Sequence, residues 1–585
     1  MIHKSPRIFT NLSPIETLRW GVSFVLARAR LSNATLFRLG VMGFTLLTFG
    51  LGFLLWERFP FREDEAIYAY WALVFARIDP WFLTVWPDKP PLFLWSLAGV
   101  FEIIGASPAS ARLLNMTLTA LTVPVVAAIA HRLWGRTAGL WAAATFALNP
   151  FVLSFAPTVY TDPMLVLWGM VALYAALSRR PFWAGLFLGA AIMTKQQGVL
   201  FVPLVFVAMA NGERRMANAK SNPSRPPPPN PQSPIPTLPF AIRHSLGLVA
   251  IIAPIVLWDS RRWAVAPSPW DLAVGNYGGV ALLSPDQWLS RWQTWGGLLW
   301  QLGGSWAVWV GLAVGVILIK AKGKRQSAKC KRLWVDTQSP IPNPQALLLW
   351  TLGFVVLHLF TTVQPWDRYL LPLAPMLALL AGWMGHGLTQ LNGHRTGAIL
   401  GLAWILLLLP TGLTAAQGGA PLGGDHGDYA GFDAALAWFQ ANAPTDAVLY
   451  HQELGSQYRF YLFDQTQEHG GYDLRWTPSA VYLADNAAKT PTLRKFMIQP
   501  DWAATRDQAR YLPMRDMAWL PRFHAGKFTV YEIMAQPPCG DAKYATQTCS
   551  SRVRDPAGAS QDLLWSTRRV TDPARATGSQ PGGAP

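Results

Sequence analysis

Charge is scarce in this chain. Only 14% of its 585 residues are Asp, Glu, Lys or Arg, against about a quarter in an ordinary soluble protein. Acidic residues are scarcest, 32 against 49 Lys and Arg. Cysteine is nearly missing: the three present show no metal-ligand spacing, which excludes a cysteine-based metal site. Cys539 and Cys549 stand close together near the C-terminus and could pair in an oxidising compartment; Cys330 lies in a basic loop. What fills the space is apolar: 51% hydrophobic residues, 29 Trp and a mean hydropathy of +0.21. That composition belongs to an integral membrane protein. The formal charge of +17 does not point to nucleic acid. Lys and Arg sit in short segments between apolar runs, as the positive-inside rule requires.

A spanning helix needs roughly 20 apolar residues, fewer where the bilayer is thin. Candidate spans are Leu39–Trp56, Leu113–Ala130, Ala138–Phe155, Met164–Leu177, Phe182–Met193, Val199–Ala210, Leu246–Trp258, Leu298–Ile319, Ala346–Val363, Leu370–Leu388 and Gly397–Ala415. Leu92–Ile104 is apolar but short and carries Glu102. If it lies along the interface as an amphipathic segment, every basic cluster falls on the cytoplasmic side. The expected architecture is an α-helical polytopic membrane protein of about eleven spans over residues 39–416. A basic, uncleaved leader (1–38) with an amphipathic helix precedes it. The outer face receives residues 57–112, the segments around Asp162, Lys195, Arg261 and Arg368, and everything after 417. Residues 221–239 and 320–344 read as cytoplasmic linkers, the first too Pro-rich for a packed core. Phe432–Asn442 has helical periodicity, while Ala447–Tyr450 and Lys527–Tyr531 read as strands. Residues 417–551 are therefore expected to form a small extracytoplasmic α/β domain, and 552–585 a disordered tail.

Residues 57–92 organise the chain. They set Glu63, Asp64, Glu65, Asp88 and Lys89 among many aromatics, and ionisable groups pressed against hydrocarbon need partners or water. Asp64 and Glu65 precede a helical apolar face (Ile67, Tyr70, Trp71, Val74). They read as a general base or substrate-orienting carboxylate at the membrane surface, or else as solvated loop charges. In Asp88-Lys89-Pro90-Pro91, a Lys fixed beside prolines suits a phosphate oxygen at headgroup depth, or snorkels to lipid. Asp162 in Thr161-Asp162-Pro163 reads as substrate-orienting or as a helix N-cap. Lys195 is an anchor or a second phosphate contact. Arg368 and Tyr369 could grip a phosphate from the hairpin Gln364–Pro372, with Arg261 and Arg262 on the same face; an aromatic belt with a snorkelling Arg is the plain alternative.

Taken in order, the acidic pair, the D-K-P-P turn, the T-D-P and the R-Y-x-L-P hairpin resemble the polyprenyl-phosphate-sugar-dependent glycosyltransferases of the GT-C superfamily. The likeness covers roughly residues 39–415 and lies on the branch related to aminoarabinose transferase and protein O-mannosyltransferase (glycosyltransferase family 39). It implies a GT-C fold and a one-step, inverting displacement on the outer face of the cell membrane. The donor would be a polyprenyl-phosphate-linked sugar, and the acceptor an envelope lipid, glycan or protein. Asp64 would deprotonate or orient the acceptor hydroxyl, and Lys89 would neutralise the leaving phosphate. Arg261, Arg262 and Tyr369 would assist Lys89, and Asp88 and Asp162 would orient acceptor or sugar. Some relatives use a metal and others none; with no dedicated cluster here, none is expected to be strictly required. A protein O-mannosyltransferase carries a further sugar-binding-like domain for which this chain has no room.

Two other classes remain. A flippase would place its charges near the bilayer midplane in repeated halves; here they lie at span ends, without repeats. A membrane scaffold would have no use for so dense an acidic loop.

Overall fold

The computed structural model describes residues 32–210, 240–325, 344–424, 426–466, 470–503 and 506–535. Residues 1–31 of the leader, the linker 221–239, residues 326–343 of the second linker, all three cysteines and the tail lie outside the described residues; residues 33–38 of the leader are the first turns of a helix that runs on into the first span.

Proline stands at one of the first two positions in five of the helices, and glycine caps the C-terminal end of four. The first helices are α1 (Asn33–Gly52), α2 (Glu63–Arg77), α3 (Leu92–Ile104) and α4 (Pro108–Trp134). After them come α5 (Arg136–Ala147), α6 (Pro150–Phe155), α7 (Asp162–Leu177), α8 (Pro181–Thr194) and α9 (Gln196–Ala210). The next are α10 (Phe240–Ser260), α11 (Pro269–Tyr277), α12 (Trp288–Leu302), α13 (Trp306–Arg325), α14 (Gln345–Phe360) and α15 (Leu373–Ala416). Pro108, Pro150, Pro163, Pro181 and Pro269 occupy first-turn positions, where a missing N–H costs nothing.

Among the described residues four helical stretches are long and apolar enough to cross a membrane: Asn33–Gly52, Pro108–Trp134, Ala241–Ser260 and Asp367–Ala416. Shorter apolar helices pack between them. Several expected spans are broken. Ala138–Phe155 is two helices, because Asn149 turns out of α5 and its side chain caps Phe151 and Val152. Leu298–Ile319 is also two: α12 and α13 meet at a bend of 78°, with Gly304 at φ +77° in the corner. Leu370–Leu388 and Gly397–Ala415 are limbs of α15, kinked where Gly393 takes φ +83°. α3 is a separate 13-residue helix with Phe93, Leu94, Leu97 and Phe101 buried and Ile103 82% exposed.

The helices pack closely where side chains vanish. In α8, Gly185 and Gly189 form a small-xxx-small pair, and Gly247 of α10 faces them. A Cβ on Gly247 would run into the Phe182 carbonyl, and one on Gly185 into the His244 carbonyl. Gly247→Leu is expected to force the two helices apart and cost about 1–3 kcal/mol or more, read as a lower unfolding midpoint in detergent.

After residue 430 comes the α/β unit. Helix α16 (Phe432–Asn442) runs as its periodicity predicts, followed by β1 (Val448–His451), α17 (Gly455–Tyr461) and β2 (Asp473–Trp476). Then come α18 (Ala480–Lys489), β3 (Lys495–Pro500), α19 (Arg506–Tyr511), β4 (Met517–Ala525) and β5 (Phe528–Ala535). The sheet order is β2-β1-β3-β5-β4, with β1 parallel to β2 and β3, and β5 antiparallel to β3 and β4. The unit docks on α2 through α17. Tyr461 Oη accepts the Phe61 amide at 3.1 Å, Phe61 packs on Phe460, and Arg77 pairs with Asp464 at 2.9 Å.

Candidate active site

Helix α2 sets the acidic residues out around a turn, so neighbours in sequence face different ways. Glu65 turns inward and is 1% exposed. Its Oε2 accepts the Arg62 amide at 3.2 Å, its Oε1 accepts the Val159 amide at 3.0 Å, and Arg112 lies 3.6 Å away. Asp64 turns to the cleft: its side chain keeps 38% exposure, and Oδ2 meets Arg368 Nη2 at 2.6 Å. The apolar face differs in part from expectation: Val74 is buried as expected, along with Ala66, Tyr68, Ala69, Ala72 and Leu73, while Ile67, Tyr70 and Trp71 are only half-buried.

Two more carboxylate–cation pairs stand close by. Asp162 occupies the first position of α7, and Thr161 precedes it as cap. Its carboxylate does not cap the helix: Oδ1 takes Lys195 Nζ at 2.6 Å, with both side chains nearly inaccessible. Lys195 ends α8 and lies over the Tyr369 ring at 4.3 Å. In the third pair Lys89 Nζ meets Asp88 Oδ2 at 2.7 Å. Tyr277 closes a triangle, accepting from Lys89 and donating to the same Asp88 oxygen, each at 2.8 Å. Arg368 stacks over Tyr160 at 4.8 Å and Trp366 at 5.3 Å. The three pairs share one field, since the charges of Asp64, Asp88, Asp162 and Arg368 all act on Tyr369.

Burial and pairing compete at each group. Burial alone would raise the Asp88 carboxyl, but Lys89 and the Tyr277 hydroxyl hold it below the ordinary range. Arg368 is itself buried and keeps the Asp64 carboxylate beside it. At Lys195 burial wins: despite Asp162, the ammonium is pushed down to about 8. Its folded pKa is below its unfolded one, so Lys195 is cationic only below about pH 8. Affinity for a phosphodiester lipid is expected to fall above that pH, by up to about tenfold per unit, and Lys195→Arg to flatten the fall. Titration of phosphodiester binding against pH checks this.

Seven predicted site residues therefore gather here: Asp64, Asp88, Lys89, Asp162, Lys195, Arg368 and Tyr369. Three do not. Glu65 is spent on backbone amides and Arg112. Arg262 is 1% exposed, pairs with Asp259 at 3.4 Å and donates to the Phe82 carbonyl at 2.7 Å. Glu65 is therefore not open to an acceptor hydroxyl, nor Arg262 to an arriving phosphate, because burial leaves each with its protein partners. Arg261 points to the exterior, apart from the ring. Sequence reasoning misses Tyr277; its one signal is an aromatic before Gly278, whose left-handed turn (φ +69°) ends α11. Sequence reasoning also misses Arg112, the one cation in the first turns of α4. No three potential metal ligands cluster among the described residues, and the ring carboxylates already hold cations.

A family model described as dolichyl-phosphate-mannose-protein mannosyltransferase matches residues 88–223, the stretch that carries Asp88, Lys89, Asp162 and Lys195. Among solved structures, the chain is similar to ArnT from Cupriavidus metallidurans bound to undecaprenyl phosphate. The identity is 14%, over 84% of this chain and 97% of that one, with a TM-score of 0.56. The same protein in the apo state gives 15% identity, 86% and 98% coverage, and a TM-score of 0.54. No curated protein matches by sequence. The fold is the GT-C fold of membrane glycosyltransferases, with a small C-terminal sheet domain. At this identity the likeness is one of fold, and the family model covers less than a quarter of the chain.

Proposed function

We propose that this protein moves a sugar from a polyprenyl-phosphate carrier to an envelope acceptor on the outer face of the membrane, by a single inverting displacement. The observation that carries the reading is the ring of three cations, each matched to a carboxylate, around one accessible acid. The ring alone is electrically neutral. A lipid phosphate entering it would draw on Lys89, Lys195 and Arg368, whose carboxylate partners hold them in place.

Asp64, the exposed member, takes the proton from the acceptor hydroxyl. The acceptor oxygen then forms its bond to the anomeric carbon, and the bond from that carbon to the phosphate oxygen breaks with its electron pair. Negative charge grows on the phosphate, where the cations are already fixed and need no reorganisation. We infer that no metal is strictly required. An apolar groove of about 420 Å³ between α9 and α14 suits the polyprenyl chain. Its wall begins at Leu200, five residues beyond Lys195, where Trp350 donates to the Leu200 carbonyl at 2.7 Å. The chain would leave the headgroup at Lys195 and descend along α9.

Purified protein given a labelled polyprenyl-phosphate sugar and a crude envelope fraction is expected to release polyprenyl phosphate. A donor that stays intact while crossing a vesicle bilayer would instead make the protein a flippase. Lys89→Met is expected to lower turnover by about 10²–10³-fold, the usual loss for a deleted transition-state donor, measured in the same assay.

A further inference from the structure

We propose that a pocket beside the cation ring is a subsite for one glycosyl ring, a proposal that rests on the transferase reading above. The cavity holds about 300 Å³, the lower end of the range for small-molecule sites. It lies between Pro90–Pro91, the end of α10 and the start of α11, and three of its walls are Trp258, Trp263 and Trp270.

Two of these rings are fixed. Trp263 Nε1 donates to Asp259 Oδ2 at 3.1 Å, and Trp258 is held between the Arg262 guanidinium at 5.0 Å and the edge of Trp95 at 5.2 Å. The buried Asp259–Arg262 pair is thus a brace for aromatic faces. Asp259 also accepts the Ser268 hydroxyl at 2.7 Å, so its oxygens are occupied. Asp271 lines the same cavity and has no side-chain hydrogen bond or ion pair among the described residues.

An apolar ring face beside a free carboxylate is a sugar-shaped pairing. The C–H face of a pyranose lies on the indoles, and its hydroxyls donate to the carboxylate, which can only accept. Position ties the pocket to the reaction. Pro90 and Pro91 continue directly from Lys89. Gln196 Nε2 donates both to the Asp88 carbonyl at 2.8 Å and to the Pro269 carbonyl at 3.3 Å, so one amide links the phosphate turn to the pocket wall. A ring seated here keeps its phosphate within the ring of cations, which favours the sugar of the donor over that of the acceptor.

The test compares binding of bare undecaprenyl phosphate with undecaprenyl-phosphate mannose, glucose and arabinose, for wild type, Asp271→Asn and Trp270→Ala. Wild type is expected to bind at least one glycosylated carrier tenfold or more above the bare one. Both variants should lose most of that advantage and bind bare carrier within twofold of wild type. If the advantage survives but the half-saturating concentration of the envelope acceptor rises fivefold or more, the ring belongs to the acceptor. If neither changes in either variant, the subsite is overturned. Failure of wild type to bind the bare carrier would instead sink the transferase reading itself.

Discussion

Asp64→Asn should leave the protein folded and lower its release of polyprenyl phosphate by about 10²–10⁴-fold, the usual contribution of a positioned general base. The amide keeps the shape of the acid and can still accept from Arg368 through its oxygen, but it cannot take a proton. Three details make this the variant to test. Asp64 is the ring carboxylate that keeps the most side-chain exposure, 38% against 11% for Asp88 and 1% for Asp162. It stands on the first turn of α2, whose position is fixed from both sides. Its partner Arg368 is itself buried and stacked on aromatic rings. Release of carrier by the variant at the wild-type rate would remove Asp64 from the chemistry.

The second large effect lies behind the site. Arg112→Ala is expected to destabilise the fold by about 3–5 kcal/mol, because it leaves Glu65 buried without its cation. The guanidinium also donates to the carbonyls of Trp56, Phe59 and Pro60 at 2.9, 2.7 and 3.2 Å. Those residues form the turn from α1 into α2, so the loss should reach Asp64 as well. Thermal unfolding in detergent should show a lower midpoint. Glu65→Ala should behave in the same way and, unlike Asp64→Asn, should lose activity together with folded protein. Normal stability with lost turnover in Glu65→Ala would restore it as a catalytic group.

That contrast marks what the sequence made legible. Asp64 and Glu65 are adjacent, equally acidic and equally close to the apolar run, so composition and spacing treat them alike. Only the 100° step between helix neighbours separates a cleft-facing acid from a buried brace. Arg262 presents the same difficulty: a cation at the outer end of a span looks free to meet a phosphate until Asp259, three residues earlier, claims it. The D-K-P-P turn, Asp162, Lys195 and the Arg368 hairpin were readable because each interrupts an apolar stretch at a span end, where an ion is costly. Tyr277 was not, since one tyrosine in a loop carries no pattern, and its partner Asp88 lies 189 positions away. Among the elements, helix α16 declared itself by periodicity. The bend between α12 and α13 did not, because a run of apolar residues reads the same straight or folded.

The docking of α17 on α2 sets a timetable. The helix bearing Asp64 leaves the ribosome early, yet the Tyr461 hydroxyl that receives the Phe61 amide is encoded 400 residues later. The Arg77–Asp464 clasp is closed from almost as far, 387 residues. Contacts of such separation form late, after the intervening chain has been ordered. A partly made protein therefore holds Asp64 on an unclamped helix, and the carboxylate reaches its final place only with the last quarter of the chain.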